Sequence, residues 1–498
     1  MAKKITVRAL TLVLVILFVL PFVTACQKGN SGDGKETTEA YETQMQIDQD
    51  ENNPQIPAAD YNKYEFGIIC QPYNEGLAYS CNYIDAEGES ADLLESAVYR
   101  RNTAVEDKYN IVINRIDVTD ILSSVRTQVM SGSTEFDLIT TRCHWLATLA
   151  RENLLADLLS FDWFDMSKPY WDTNGVHDLK IAGKLFFNNC DFVAQELATM
   201  LYFNKQMIED YQLTSPYEYM AQNNWTLDTF GSLVKSISED ADNDGDMDEF
   251  DKYGLLAEHH NARMLLYGSG IRITTNDDSG YPELTLMSDK TVSAYEKIKD
   301  IMGSPAAWCI TCMPADSHGF NDRWDYMRSW FCQDMFLFHI EGVNIIAQFA
   351  DMEHEFGIVP IPKYDSAQEN YYSCYPQHCS LIGIPNTVAS AEDKDMVGRI
   401  VEDLNFYSSV IVMPTFYETI LQRKYTHDDE SEANLDIIKN SRVYDIGIYF
   451  NFGGVRDKIT DVDSPKNNIS TNFAKLKKAI QADIDQTYEK FQKAGAAA

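Results

Sequence analysis

Positive charge is scarce in this chain. Its 498 residues carry 41 Lys and Arg against 76 Asp and Glu, a formal net charge of −35, with the acids spread along the whole length. A field of that sign repels nucleic acid and anionic lipid, so neither is expected as a partner of the body. Long apolar runs are equally scarce. After the N-terminal stretch no second hydrophobic span appears, and nothing is expected to cross a membrane once a leader is removed. No Gly-x-Ser-x-Gly, His-Glu-x-x-His or P-loop pattern occurs, and there are no internal repeats.

What is present begins with Lys3, Lys4 and Arg8, followed by the apolar run Leu10 to Val23. The run is too short for a stable transmembrane helix and fits the apolar region of a signal peptide. It leads into Val23-Thr24-Ala25-Cys26, which resembles a lipobox. Residues 1–25 therefore read as a lipoprotein signal, with Cys26 as the lipidated new N-terminus. The alternative is an ordinary secretory signal with an incidental cysteine. Residues 26–60 read as a tether. They are rich in Gly, Ser and polar residues and have too few large apolar ones to fold. A flexible chain of that length spans roughly 30 Å. A globular body from about Tyr61 is thus expected on the extracellular face of a cell membrane, held there by lipid.

The chain has ten cysteines. With Cys26 lipidated, nine remain, and at least one of them cannot pair within the chain. Cys309 and Cys312 have redox or zinc spacing, and Cys374 and Cys379 flank His378. No second pair lies near either in sequence, so buried thiols or one or two disulfides are expected before zinc.

The body has enough apolar residues, 45% of the chain, for a large core. "EFGIIC", "IVINRIDV" and "FDLITT" read as strands. Asp92 to Tyr109, "ILSSVRTQVMSG" and "WLATLARENL" carry helical spacing. Strands alternating with helices imply a parallel sheet with helices on its faces. Ligands bind such sheets beyond the carboxyl ends of the strands, which marks Gln71 to Asn74 and Arg142 to Trp145. Further on, a hairpin and a long extended stretch occupy Lys180 to Lys205. Helices are expected over Thr226 to Ser238, Ser288 to Met302, Ala391 to Ser408 and Asn472 to Gln492. "FGIVPIP" and "CSLIGIP" read as strands ended by prolines.

Six stretches carry a resemblance. They are "VYRRNTAVEDKYNIVI", "KPYWDTNGVHDLKIAGKLFFNNCDF", "LYFNK", "NNWTLDTF", "EFGIVPIPKYDSAQENYYS" and "KYTHDDESEANLDII". In this order and spacing they resemble the extracellular solute-binding lipoproteins of ABC transporters, in the carbohydrate-uptake class of Gram-positive bacteria. Phe203 stands where that family carries a tyrosine. The resemblance implies an α/β, two-lobed periplasmic-binding-protein-like fold of type II. Each lobe is a sheet flanked by helices, and the ligand lies in the cleft between lobes. It divides the body into 61–195 and 381–430 for one lobe, and 196–380 and 431–498 for the other. Chain crossings are expected near Ala194 to Leu201, Leu381 to Pro385 and residue 430. The implied partners are a sugar or oligosaccharide and the permease and ATPase subunits of an importer. The chain itself is expected to be a monomer that catalyses no reaction and requires no cofactor.

A sugar needs aromatic faces for its C–H surfaces and fixed polar groups for its hydroxyls. From the strand-end loops the candidates are Tyr73, Arg142, His144 and Trp145. From the resemblance they are Glu196 at the first crossing, Trp324, Glu341 and Tyr375. For each the alternative is a packed aromatic or a surface polar group. Trp225 reads as structural, anchoring a helix that starts at Thr226.

"DADNDGDMDEFD" fits the register of a calcium loop, with oxygen ligands at positions 1, 3, 5, 7, 9 and 12 and glycine at 6. Asp240, Asp242, Asp244, Asp246, Asp248 and Asp251 take those places around Gly245. Asp251 departs from the pattern, where a longer glutamate is usual. A structural Ca²⁺ is expected, against the alternative of a solvated acidic loop. Two other functional classes remain open: a secreted glycan-active enzyme, which needs two carboxylates at fixed separation, and a binding module that feeds a surface sensor.

Overall fold

The computed structural model describes residues 47–72, 83–193, 197–248, 250–258, 260–309, 323–349, 352–417, 428–459 and 468–494. The segment read as a signal, Cys26, and most of the Cys309 to Cys312 motif lie outside them. The chain divides into Met1–Asn53 and Pro54–Ala498. Of the first unit only a turn at 47–53 is described, where Asp50 Oδ1 accepts the Asn52 N–H at 2.7 Å.

The body starts before Tyr61. Ile56 is buried and the Ala59 N–H donates to the Lys108 carbonyl at 3.3 Å. Composition missed this because one apolar residue between Pro54 and Pro57 makes no periodic pattern. Strand β1 (Tyr64–Cys70) follows, then helix α1 (Leu93–Tyr109), β2 (Ile111–Asp117), α2 (Ile121–Ser131), β3 (Leu138–Arg142) and α3 (Cys143–Arg151). Local chemistry sets the helix ends. The Asp92 carboxylate accepts the N–H groups of Leu94 and Glu95 at the start of α1. Gly132, at φ +68°, closes α2 in the left-handed region that glycine tolerates best.

The first sheet has the order β2-β1-β3-β11-β4, with β4 at Phe187–Asn188 and β11 at Ser380–Gly383. Strands β1, β2 and β3 are parallel, as the alternation predicts, whereas β11 and β4 extend the sheet antiparallel. The second sheet has the order β8-β7-β9-β5-β10, with short β6 (Ser238–Glu239) on β7. Its strands are β5 (Thr199–Asn204), β7 (Lys252–Ala257), β8 (Ala307–Cys309), β9 (Phe336–Gly342) and β10 (Phe356–Pro360). The two sheets share no strand. The chain passes from the first to the second between Asn188 and Thr199, and returns between Pro360 and Ser380. That return lies ahead of Leu381, which already belongs to the first sheet.

Helix α4 (Leu227–Val234) stops short of Ser238, because Ser238 and Glu239 pair with β7 instead. Trp225 is fully buried and donates from Nε1 to the Pro360 carbonyl at 2.8 Å, as an anchor for the capped start at Thr226 should. The helices α5 (Asn261–Gly268), α6 (Asp289–Met302), α7 (Arg323–Phe331), α8 (Ala391–Tyr407) and α9 (Ile469–Lys493) complete the elements used below. Phe491 of α9 packs edge-on against Phe186. Among the described residues no helix is long and apolar enough to cross a membrane. Among the described cysteines, Cys70, Cys143, Cys190, Cys374 and Cys379 are buried and Cys332 is half-buried.

Glu402 of α8 is a buried acid in the core. It accepts hydrogen bonds from the Tyr170 hydroxyl at 2.7 Å and Trp171 Nε1 at 2.9 Å. Burial still pushes its carboxyl from 4.5 up to about 7. The native state thus keeps a proton that the unfolded chain releases. The stabilisation from this group is full below pH 4.5 and is lost as pH rises through about 7. Glu402→Gln, which keeps the shape without the ionisation, should therefore lose less melting temperature than the wild type between pH 4.5 and 7.5. Parallel melting curves for the two proteins would contradict this.

Candidate functional site

In the first sheet, β1 lies between β2 and β3; in the second, β7 lies between β8 and β9. Each arrangement reverses the strand order and opens a crevice at the carboxyl ends. A cavity of about 130 Å³ lies at the second of these. Glu258, His260 and Asn261 reach it from the end of β7 and the start of α5. Glu341, Gly342 and Asn344 come from the end of β9, and Pro376 and His378 from the segment returning to the first sheet. Trp324 of α7 supplies an aromatic wall, and Arg263 of α5 a guanidinium. The cavity is smaller than the roughly 300–1,000 Å³ that encloses a drug-sized molecule. The described residues thus enclose room for a small group, not for a whole oligosaccharide.

Glu341 is tied down in this wall. Arg328 Nε donates to Oε2 at 3.1 Å and Nη2 donates to Oε1, while His339 Nε2 lies 2.8 Å from Oε2. Burial opposes its ionisation, but the Arg328 guanidinium and the His339 ring outweigh that and hold the carboxyl down at about 2. The other acid of the cavity, Glu258, lies 2.9 Å from His260 Nδ1. Burial drives His378 down to about 3, helped by the Arg263 and Arg142 guanidinium groups, so its ring is neutral.

The residues predicted after β3 stand beside this cavity, and none is in its wall. Arg142 lies over the Trp145 ring, 5.2 Å from its centre. His144 Nδ1 is 2.6 Å from the Gln377 carbonyl oxygen, which only accepts, so this nitrogen carries the proton. Burial lowers the His144 pKa. The Gln377 side chain in turn accepts from Arg263 Nη2 at 3.0 Å. One residue of the returning segment thus joins the first-sheet group to the cavity.

Of the remaining predicted contacts, Trp324 and Glu341 are in the cavity. Tyr375 is not. It is completely buried, its ring packs 5.0 Å from that of Tyr444, and its N–H bonds to the Val443 carbonyl. The pairing of Ser373–Cys374 with Arg442–Val443 turns it into the core, and its neighbours Pro376 and His378 line the cavity instead. Tyr73 and Glu196 lie outside the described residues. Sequence reading missed Glu258, His260, Asn261 and Arg263. The strand-end rule applied to "KYGLLA" would have found them, as it found Arg142 to Trp145.

In the acidic loop, carboxylate oxygens of Asp240, Asp242 and Asp244 lie within 4.8 Å of one another. Asp240 also accepts the N–H groups of Asp244 and Gly245, and Asp248 that of Phe250. The Asp246 N–H bonds to Asp244 Oδ1. Asp251 is placed differently from an exposed ligand: it is buried, and its two oxygens accept the N–H groups of Ala241 and Asp248 at 2.7 Å each.

Neither a family model nor a curated protein matches this chain. Solved structures do match its fold. A cyclo/maltodextrin-binding protein complexed with maltotetraose aligns over 86% of this chain and 97% of its own, with 13% identity and a TM-score of 0.54. The maltose-binding periplasmic protein from Listeria monocytogenes, complexed with maltose, aligns over 85% and 98%, with 12% identity and a TM-score of 0.52. UgpB from Mycobacterium tuberculosis, complexed with glycerophosphocholine, aligns over 81% and 98%, with 13% identity and a TM-score of 0.52. At these identities the likeness is one of fold. The class is defined: an α/β chain with the two-lobed, type II periplasmic-binding-protein-like architecture.

If Arg328 and His339 neutralise Glu341 as the geometry indicates, Arg328→Met should destabilise the protein by about 2 kcal/mol at pH 7 by removing charge-assisted bonds to the carboxylate. Adding Glu341→Gln should restore most of that loss. A double variant no more stable than the single one, in denaturant unfolding, would show that the charge is not the cause.

Proposed function

We propose that this chain is the extracellular solute-binding component of an ABC importer and captures a sugar or oligosaccharide between its two lobes. The observation that carries this reading is the convergence of β7, β9 and the segment returning to the first sheet on one cavity. That cavity combines an aromatic face with fixed donors and acceptors. The structures of like fold solved with maltotetraose and maltose support it. Ligand would draw the lobes together about the crossing segments, the motion expected of such folds. The reading is one of binding without catalysis.

The further parts of the proposal rest on sequence. Val23 to Cys26 supports lipidation at Cys26 and an extracellular place on a Gram-positive cell membrane, with a permease and an ATPase as partners and the chain acting as a monomer. Asp240, Asp242, Asp244, Asp246 and Asp248 would hold a structural Ca²⁺, whose charge would offset the repulsion among them. Asp251 would act chiefly by closing the loop.

Thermal denaturation against a glycan panel tests the function, because a ligand at a hundred times its Kd stabilises by about 2.7 kcal/mol. At least one sugar should raise the melting temperature by several degrees. A panel without effect, alongside a shift by peptides, would refute a carbohydrate ligand. For the loop, a calcium chelator should lower the melting temperature of the wild type and leave that of Asp240→Ala unchanged. Insensitivity of the wild type would remove the metal.

A further inference from the structure

Among the described residues each acid of the cavity wall has a basic side chain bonded to it, and one cation of the wall has no acid bonded to it. Glu258 has His260, and Glu341 has Arg328 and His339. Arg263 has none. It is only 2% exposed, and its hydrogen bond is to the neutral Gln377 side chain. Its Nε has no hydrogen-bond partner.

Three facts make this arrangement costly. A guanidinium out of water loses hydration that only an anion or several acceptors can replace. Arg263 also sits in the first turn of α5, where the helix dipole is positive and disfavours a cation. Arg456 adds repulsion, and Glu258 across the cavity offsets this and the burial only in part. Among the described residues no acid forms an ion pair with this arginine; Glu258 and Asp457 act on it only at longer range. Both Arg263 and His378 face the cavity, beside the Trp324 wall.

We propose that Arg263 is the receptor for an acidic group on the ligand, so that the captured solute is an acidic sugar. The sugar bears an oxyanion, a carboxylate or a phosphate, that enters the cavity and completes the unpaired guanidinium. Trp324 faces the ring carbons. His378, neutral, exchanges hydrogen bonds with the ligand. This inference rests on the sugar-binding function proposed above and narrows its ligand class.

Isothermal titration calorimetry of the wild type tests it with matched pairs: galacturonate against galactose, glucuronate against glucose, trigalacturonate against maltotriose, and glucose 6-phosphate against glucose. The acidic member of at least one pair should bind at least about tenfold tighter, the worth of a charge-assisted bond. A preference among the uronates identifies a carboxylate, and among the phosphates a phosphate. In Arg263→Met that advantage should vanish, while the ligand-free melting temperature stays the same or rises because an uncompensated buried charge is gone. Equal affinities within every pair, or a neutral sugar preferred, overturn the inference and leave the sugar-binding function standing. Inorganic phosphate binding with no sugar of either kind overturns both. A fall of several degrees in the ligand-free Arg263→Met protein overturns the role of Arg263, since it would then hold the fold together.

Discussion

The floor of the cleft depends on one residue, Gln377. Its carbonyl oxygen receives the N–H and Nδ1 of His144, at the start of α3 beneath the first sheet. Its side-chain oxygen receives Arg263, at the start of α5 beneath the second. The two sheets share no strand, so their relation rests on the crossing segments and on bonds of this kind. Because Gln377 sits between Pro376 and His378, the same short segment joins the lobes and presents two cavity-lining residues. The bonds between the two sheets thus meet beside the place where the proposed ligand would sit.

Charge is the second constraint. The chain is strongly acidic, yet among the described residues the buried Arg263 of its cavity has no acid bonded to it. Glu341 shows the cost of balancing a charge there: two bonds from Arg328 and one from His339 are spent on a single carboxylate. The reward is a site whose acceptors are fixed in direction before a ligand arrives, which reduces the ordering cost of binding. The Asp240 to Asp251 loop is the opposite case. The carboxylates of Asp240, Asp242 and Asp244 crowd one another at the end of β7 opposite to Glu258, and the loop's hydrogen bonds serve the turn itself.

Much of the fold was legible because it is written in local chemistry. Asp92 and Gly132 mark helix ends, the buried run in "EFGIIC" marks a strand, and alternation marks the parallel core of the first sheet. The antiparallel return of β11 was not legible, since nothing in "CSLIGIP" records which strand it meets. The site was legible only in part, for the same reason. Trp324 and Glu341 came from a resemblance, and Arg142 to Trp145 from the strand-end rule, which pointed to the right end of the sheet but to groups beside the cavity. Tyr375 failed because facing depends on the pairing with Arg442–Val443, a contact far apart in sequence. Arg263 lay in an apolar helix, where a single arginine normally reads as a surface group; only burial without a counter-charge sets it apart.

The central claim is that the cleft between the sheets is where this protein holds its ligand. A crystal structure grown with the glycan that most raises the melting temperature tests it most directly. The account predicts sugar density against Trp324, within hydrogen-bonding distance of Arg263 and His378, with the lobes closed about the Gln377 segment. Density on an outer face, with this cavity filled by water alone, would contradict it.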